Sequence, residues 1–150
     1  MLTDFDKSVL NIIQTDLPLE TRPFAALAKK LGTTEAIVID RLTFLKEQGF
    51  IRRIGPFFDS EKLGYIGTLV ALEVKEDCME QVAGIINSYY GVTHNYEREG
   101  ALNLWFTLLS PNRAKQDEIL EIIGSLDGVV RLLNLPATRK FKVSVQFALK

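Results

Sequence analysis

The chain has 150 residues, 47% hydrophobic and 25% charged, a mixture that supports a packed core and excludes a disordered or collagen-like polymer. Lys plus Arg total 18 against 19 Asp plus Glu, so no net field draws the whole molecule to nucleic acid or anionic lipid, and any such attraction is local. One cysteine, Cys78, and one histidine exclude an internal disulfide and a structural zinc cluster. Cys78 reads as a helix residue without chemistry. No apolar run approaches the roughly 20 residues of a membrane helix, and the acidic start MLTDFDKS lacks a signal core, so the expected location is the cytoplasm.

Leu2, Phe5, Val9, Leu10 and Ile13 recur at helical spacing and predict a first helix from about Leu2 to Thr15, with Asp4 and Asp6 at its dipole-favoured end. After a loop over 17–22, Pro23 opens a second helix whose stripe is Phe24, Leu27 and Leu31, and Gly32 stops it. Thr33 and Thr34 supply an N-cap for a third, running to Gln48 with Val38, Leu42 and Leu45 inward. A short extended segment, Phe50 to Phe58, carries Arg52 and Arg53 and then a Gly55-Pro56 turn. Three helices in this order, with a tight turn before the third, predict a winged helix-turn-helix over residues 1–58.

From residue 59 to 150 the period changes. Tyr65 to Val74 reads as a strand, Glu76 to Tyr89 as an amphipathic helix, and Gly91 to Glu99 and Ala101 to Leu109 as strands joined at Gly100. Pro111 to Leu126 is a second helix, and Val129 to Leu135 and Thr138 to Phe147, separated by Pro136, complete the sheet. The order β-α-β-β-α-β predicts a ferredoxin-like domain, α+β, with helices on one sheet face and the other face available to a ligand or partner.

A DNA-reading helix offers Arg, Lys, Asn or Gln outward. With Val38, Leu42 and Leu45 inward, the third helix instead presents Ala36, Asp40, Thr43 and Glu47, flanked by Ile37 and Phe44. Residues 1–55 hold eight Lys plus Arg and seven Asp plus Glu, which is no basic footprint. Both observations argue against DNA as a partner.

Chemistry concentrates in Val92-Thr93-His94-Asn95-Tyr96-Glu97-Arg98. Strand alternation puts His94, Tyr96 and Arg98 on one face. An imidazole ligates a metal or moves a proton, a phenol donates a hydrogen bond, and a guanidinium clamps a carboxylate, a set suited to a polycarboxylate or a metal-bearing substrate. On the neighbouring strand Asn103, Trp105 and Thr107 share a face opposite Leu102, Leu104, Phe106 and Leu108. Trp105 is a platform for a planar ligand or a subunit contact. Lys140 and Lys142 alternate with Phe141 and Val143, as at a solvated edge or an anion site. No nucleophile elbow, Walker loop or dinucleotide glycine pattern occurs.

This layout resembles the Lrp/AsnC regulator family over nearly the whole chain. Within it, three stretches resemble the siroheme decarboxylases: Arg52-Arg53-Ile54-Gly55-Pro56-Phe57-Phe58 with Lys62-Leu63-Gly64-Tyr65, then His94-Asn95-Tyr96-Glu97-Arg98 as H-x-Y-x-R, then Asn134-Leu135-Pro136-Ala137-Thr138-Arg139-Lys140-Phe141-Lys142. The resemblance implies an enzyme of heme or heme d1 formation, a carboxy-lyase that removes CO2 from the C12 and C18 acetates of siroheme to give 12,18-didecarboxysiroheme. It implies a heterodimer with a homologous second subunit, and no cofactor separate from the substrate, whose iron the siroheme carries.

On that reading His94 ligates the iron or donates a proton, and Tyr96 and Arg98 orient the leaving acetate. Arg52, Arg53, Arg139 and Lys142 hold the remaining carboxylates, Asn95 joins the substrate-binding set, and Trp105 and Phe57 flank the ring. Cations focused in an apolar cleft can hold such a substrate without net positive charge. Two other readings stay open: an Lrp/AsnC-type DNA-binding regulator with a small-molecule effector site, and a silent subunit that supports an active homologue.

Overall fold

A computed structural model describes residues 2–56, 58–143 and 147–149. The chain divides into two compact units, Met1–Pro56 with Lys142–Lys150, and Phe57–Phe141.

In the first unit three helices form where the capping chemistry places them. Helix α1, Asp4–Ile13, begins with a reciprocal cap: the Asp6 amide donates to the Thr3 hydroxyl, and the Asp6 carboxylate accepts from the Thr3 amide at 2.9 Å. Helix α2, Pro23–Leu31, starts on proline and ends at Gly32, whose φ of 66° is left-handed. Helix α3, Glu35–Glu47, has Thr34 as N-cap. Val9, Leu27, Val38 and Leu45 are fully buried between them, each contributing about 1.5–3 kcal/mol relative to exposure. Ala36, Asp40, Thr43 and Glu47 of α3 are exposed, as its periodicity requires. Its single arginine, Arg41, turns back to the buried Asp6 through two 2.8 Å bonds. Burial by itself pushes the Asp6 carboxyl up, but the Thr3 and Arg41 hydrogen bonds outweigh it and hold the group below the ordinary carboxylate range. Among the described residues, 50–58 form no strand, so the basic segment is a loop and no β-ladder of a wing is formed there.

The second unit is a four-stranded antiparallel sheet in the order β2-β3-β1-β4. Its elements are β1 Ile66–Val74, α4 Met79–Asn87 after a 3-10 turn over Glu76–Cys78, β2 Val92–Glu97, β3 Leu104–Ser110, α5 Arg113–Gly124 and β4 Val129–Leu135. Residues of one parity on β1 and β3, Val70, Leu72, Leu104, Phe106 and Leu108, are buried with Val82, Ile86 and Ile123 of the helices. That leaves the other sheet face without helices. Gly91 enters β2 so closely that a Cβ there would lie 2.0 Å from the Leu109 carbonyl oxygen. The position is closed to any side chain.

Two sequence expectations are corrected here. The β2–β3 connection is a loop over 98–103 rather than a tight turn at Gly100; the Arg98 amide donates to the Asn103 carbonyl at 2.8 Å across its base. The expected last strand, Thr138 to Phe147, does not form: 138–143 and 147 lie in no strand, and 144–146 fall outside the described residues. Pro136, which has no N–H to donate, follows the last ladder pair, Leu135 opposite Leu69. The chain beyond joins the first unit instead, which differs from the expected second segment, 59–150. There Gln14, the C-cap of α1, donates to the Phe147 carbonyl at 2.8 Å and accepts from its amide at 2.9 Å, while Asn11 of α1 donates to the Leu149 carbonyl at 3.0 Å.

Candidate active site

The helix-free face of the second unit carries an open depression of about 500 Å³, lined by His94, Tyr96, Arg98, Trp105, Thr107 and Leu69 among others. His94 and Tyr96 are alternate residues of β2, brought into one row by the pleat, and Arg98 follows as the first residue of the β2–β3 loop. The His94 and Tyr96 ring centroids are 6.1 Å apart. Tyr96 lies directly opposite Trp105 in the β2–β3 ladder, and His94 opposite Thr107. The Trp105 indole N–H donates to the Leu102 carbonyl at 2.7 Å, which fixes the ring so that it lines the depression. The Arg98 guanidinium makes no ion pair or hydrogen bond among the described residues, which leaves its fork available to a carboxylate of a ligand.

A β-bulge separates Val92 from His94, so that Thr93 is an extra residue against β3. Perfect alternation would send Thr93 to the face opposite His94. The bulge brings it to the same side, where its hydroxyl lies 2.6 Å from that of Thr107 and 3.1 Å from His94 Nδ1. Thr107 Oγ1 is 3.5 Å from the same nitrogen. His94 Nε2 has no protein partner among the described residues. Sequence reasoning missed Thr93, because an inserted residue leaves no mark on composition or period, and it placed Thr107 on the correct face without assigning it a role.

The remaining candidates are placed as follows. Asn95 points to the helix side, as alternation requires of a neighbour of His94: its Nδ2 donates to the Ala83 carbonyl at 3.3 Å and to Asn87 Oδ1 at 3.0 Å. It therefore does not join the depression, contrary to the expectation. Arg139 lies after β4 with its guanidinium 4.8 Å over the Phe141 ring. Lys142, Arg52 and Arg53 belong to the first unit, where Arg53 donates to the Pro56 carbonyl at 3.1 Å. Phe57 lies outside the described residues. Desolvation and the adjacent Asp77 push the Cys78 thiol up, which disfavours the thiolate form.

The arrangement is one of a planar aromatic wall, an imidazole, a phenol and an unpaired guanidinium on an open sheet. A helix-turn-helix unit joined to a βαββαβ sheet of this order defines the Lrp/AsnC class: residues 62–142 match the AsnC-like ligand binding domain, and the fold superposes on the structure of AsnC from Escherichia coli with a TM-score of 0.83 at 17% identity, covering 97% of this chain and 98% of that one. Residues 6–52 match the siroheme decarboxylase NirDL-like HTH domain. The siroheme decarboxylase alpha subunit of Desulfovibrio desulfuricans is 46% identical over 97% of this chain and 84% of its own. The chain belongs to the siroheme decarboxylase family. The crystal structure of the siroheme decarboxylase NirDL matches at 38% identity and a TM-score of 0.72, covering 99% of this chain, which spans about half, 48%, of that longer one. A second structure of NirDL, in complex with an iron-uroporphyrin III analogue, matches at 36% identity and a TM-score of 0.71 over 97% of this chain and 48% of that one.

Proposed function

We propose that this chain is a subunit of a carboxy-lyase that removes CO2 from the C12 and C18 acetates of siroheme, giving 12,18-didecarboxysiroheme, and that it works as a heterodimer with a homologous subunit. The observation that carries this reading is the convergence of His94, Tyr96, Arg98 and Trp105 in one depression, in a chain 46% identical to a siroheme decarboxylase alpha subunit. The depression is open, so it supplies one wall for a macrocycle, and the partner subunit supplies the other.

In each half of the reaction the bond between the acetate methylene and its carboxyl carbon breaks, CO2 leaves, and the electron pair left on the methylene takes up a proton to give a methyl group. The conjugated macrocycle delocalises that pair, so no separate cofactor is required. His94 takes the substrate iron through Nε2, Trp105 lies against the ring, and Arg98 and Tyr96 orient the departing acetate. Positioning of this kind lowers the barrier by fixing the reacting group before reaction. The regulator reading is opposed by α3, whose outward row offers Asp40 and Glu47 to a phosphate backbone while its arginine is engaged by Asp6.

Anaerobic titration of the purified chain with siroheme, alone and with its homologous partner, tests the proposal. Binding is expected to shift the Soret band, and incubation with the partner is expected to yield product lighter by two CO2. An unchanged spectrum together with unchanged mass in the presence of the partner refutes it.

A further inference from the structure

We infer that Thr93 and Thr107 are positioning residues that hold His94 in the Nδ1–H tautomer and so present the Nε2 lone pair to the iron of an incoming tetrapyrrole. The inference rests on the reading of His94 as the residue that meets siroheme.

Two bond directions fit these contacts, and the one with Nδ1–H as donor is the one we take. Both hydroxyl oxygens lie within 3.5 Å of Nδ1, at 3.1 and 3.5 Å, while they are 2.6 Å from each other. The short contact is an O–H···O bond, and it consumes one of the two hydroxyl protons. An Nδ1–H can share its proton between both acceptor oxygens, whereas an unprotonated Nδ1 would be served by Thr93 alone and would make no use of the 3.5 Å approach of Thr107. The 3.1 Å separation also matches the range of N–H···O bonds. In this network Nδ1–H donates chiefly to Thr93 Oγ1, the Thr93 hydroxyl donates to Thr107 Oγ1, and the Thr107 hydroxyl is free to donate outward; the reverse network, Thr107 to Thr93 and Thr93 to an unprotonated Nδ1, would leave the proton on Nε2.

A ring nitrogen that bonds to a metal must be unprotonated, so the bond made by the other nitrogen decides which one is available. In water the neutral imidazole side chain favours Nε2–H, the form that cannot ligate through Nε2. The bulge at Thr93 reverses that preference. It also anchors the ring from a second strand, because Thr107 belongs to β3 and Thr93 to β2. A regular β2 would leave Nδ1 with Thr107 alone.

The chain has a single histidine, so a ¹⁵N-histidine label reports His94 without ambiguity. Long-range ¹H–¹⁵N spectra of the ligand-free chain, taken well above the ordinary imidazole pKa, should show Nδ1–H as the major tautomer. In the Thr93→Val/Thr107→Val variant the Nε2–H form should take over, and Thr93→Ser/Thr107→Ser should restore the parent spectrum. Affinity for siroheme, read from the Soret band, should fall roughly 10-fold or more in the valine variant and recover in the serine variant, which separates a hydroxyl effect from a packing defect. A parent protein in the Nε2–H form, or a tautomer indifferent to the valine changes, overturns the inference. A tautomer that switches while siroheme affinity stays constant overturns instead the ligand role of His94, and with it the purpose assigned to the pair. The first readout needs no siroheme, so the two failures are distinct.

Discussion

Replacing Asp6 by alanine probes the one ion pair described in the helical unit whose carboxylate is fully buried. The carboxylate is 0% exposed and accepts two bonds from Thr3 and two from Arg41, all between 2.7 and 2.9 Å. Thr3 stays as N-cap and still accepts from the residue 6 amide, so the main loss is the buried pair, at about 3–5 kcal/mol. The group left behind is Arg41, whose side chain is 31% exposed and can turn to water, so the lower end applies and Asp6→Ala should cost about 3 kcal/mol at pH 7. The pH dependence has a definite sign. The folded state holds the Asp6 pKa below its unfolded value of 3.8, so the stabilisation is fully present above that value and disappears as pH falls through the lower folded one. Urea unfolding of both proteins should therefore show a constant gap from pH 7 to about 4, closing at lower pH. A gap below about 0.5 kcal/mol at pH 7, or one that persists unchanged in acid, refutes the reasoning.

Two further outcomes are expected. Arg98→Ala should weaken siroheme binding or turnover by roughly 10- to 100-fold, the loss of one charge-assisted contact of about 1.5–3 kcal/mol, and titration with kinetics of the reconstituted pair measures it; parent-like values remove Arg98 from the site. Gly91→Ala should destabilise the sheet unit by about 1–3 kcal/mol, because the new Cβ must displace the β3 backbone at Leu109, and a urea midpoint equal to that of the parent would contradict the close approach.

Sequence patterns made the element order legible because its signals are local. Pro23 and Thr34 stand where helices begin, Gly32 where one ends, and Val129–Leu135 is a strand with the expected bounds. The row His94, Tyr96, Arg98 was legible for the same reason, since the period of two set by β2 carries over to Arg98, the residue just after it. What failed depends on partners distant in sequence. Thr93 belongs to the site only because β3 supplies Thr107 opposite a bulge. Phe141, Val143 and Phe147 alternate like a strand yet stand 83%, 73% and 67% exposed, because alternation describes a chain's own faces and does not provide an edge to pair with. Asn95 was drawn into the candidate set by its position in the motif, although the same alternation that selected its neighbours turns it away.

The side-chain amides of Asn11 and Gln14 imitate the edge of a sheet for residues 147 and 149, across sequence separations of 138 and 133. The unit that begins the polypeptide is thereby finished by a segment lying beyond the whole of the other unit. In the linear order of the gene product, the sheet is an insertion within the helical bundle. Cleavage between β4 and residue 147 would thus be felt first in the bundle's hydrogen-exchange protection, and a fragment ending at residue 56 would leave the Asn11 and Gln14 amides to each other and to water. Closing so distant a contact also makes this stitch a late event in folding.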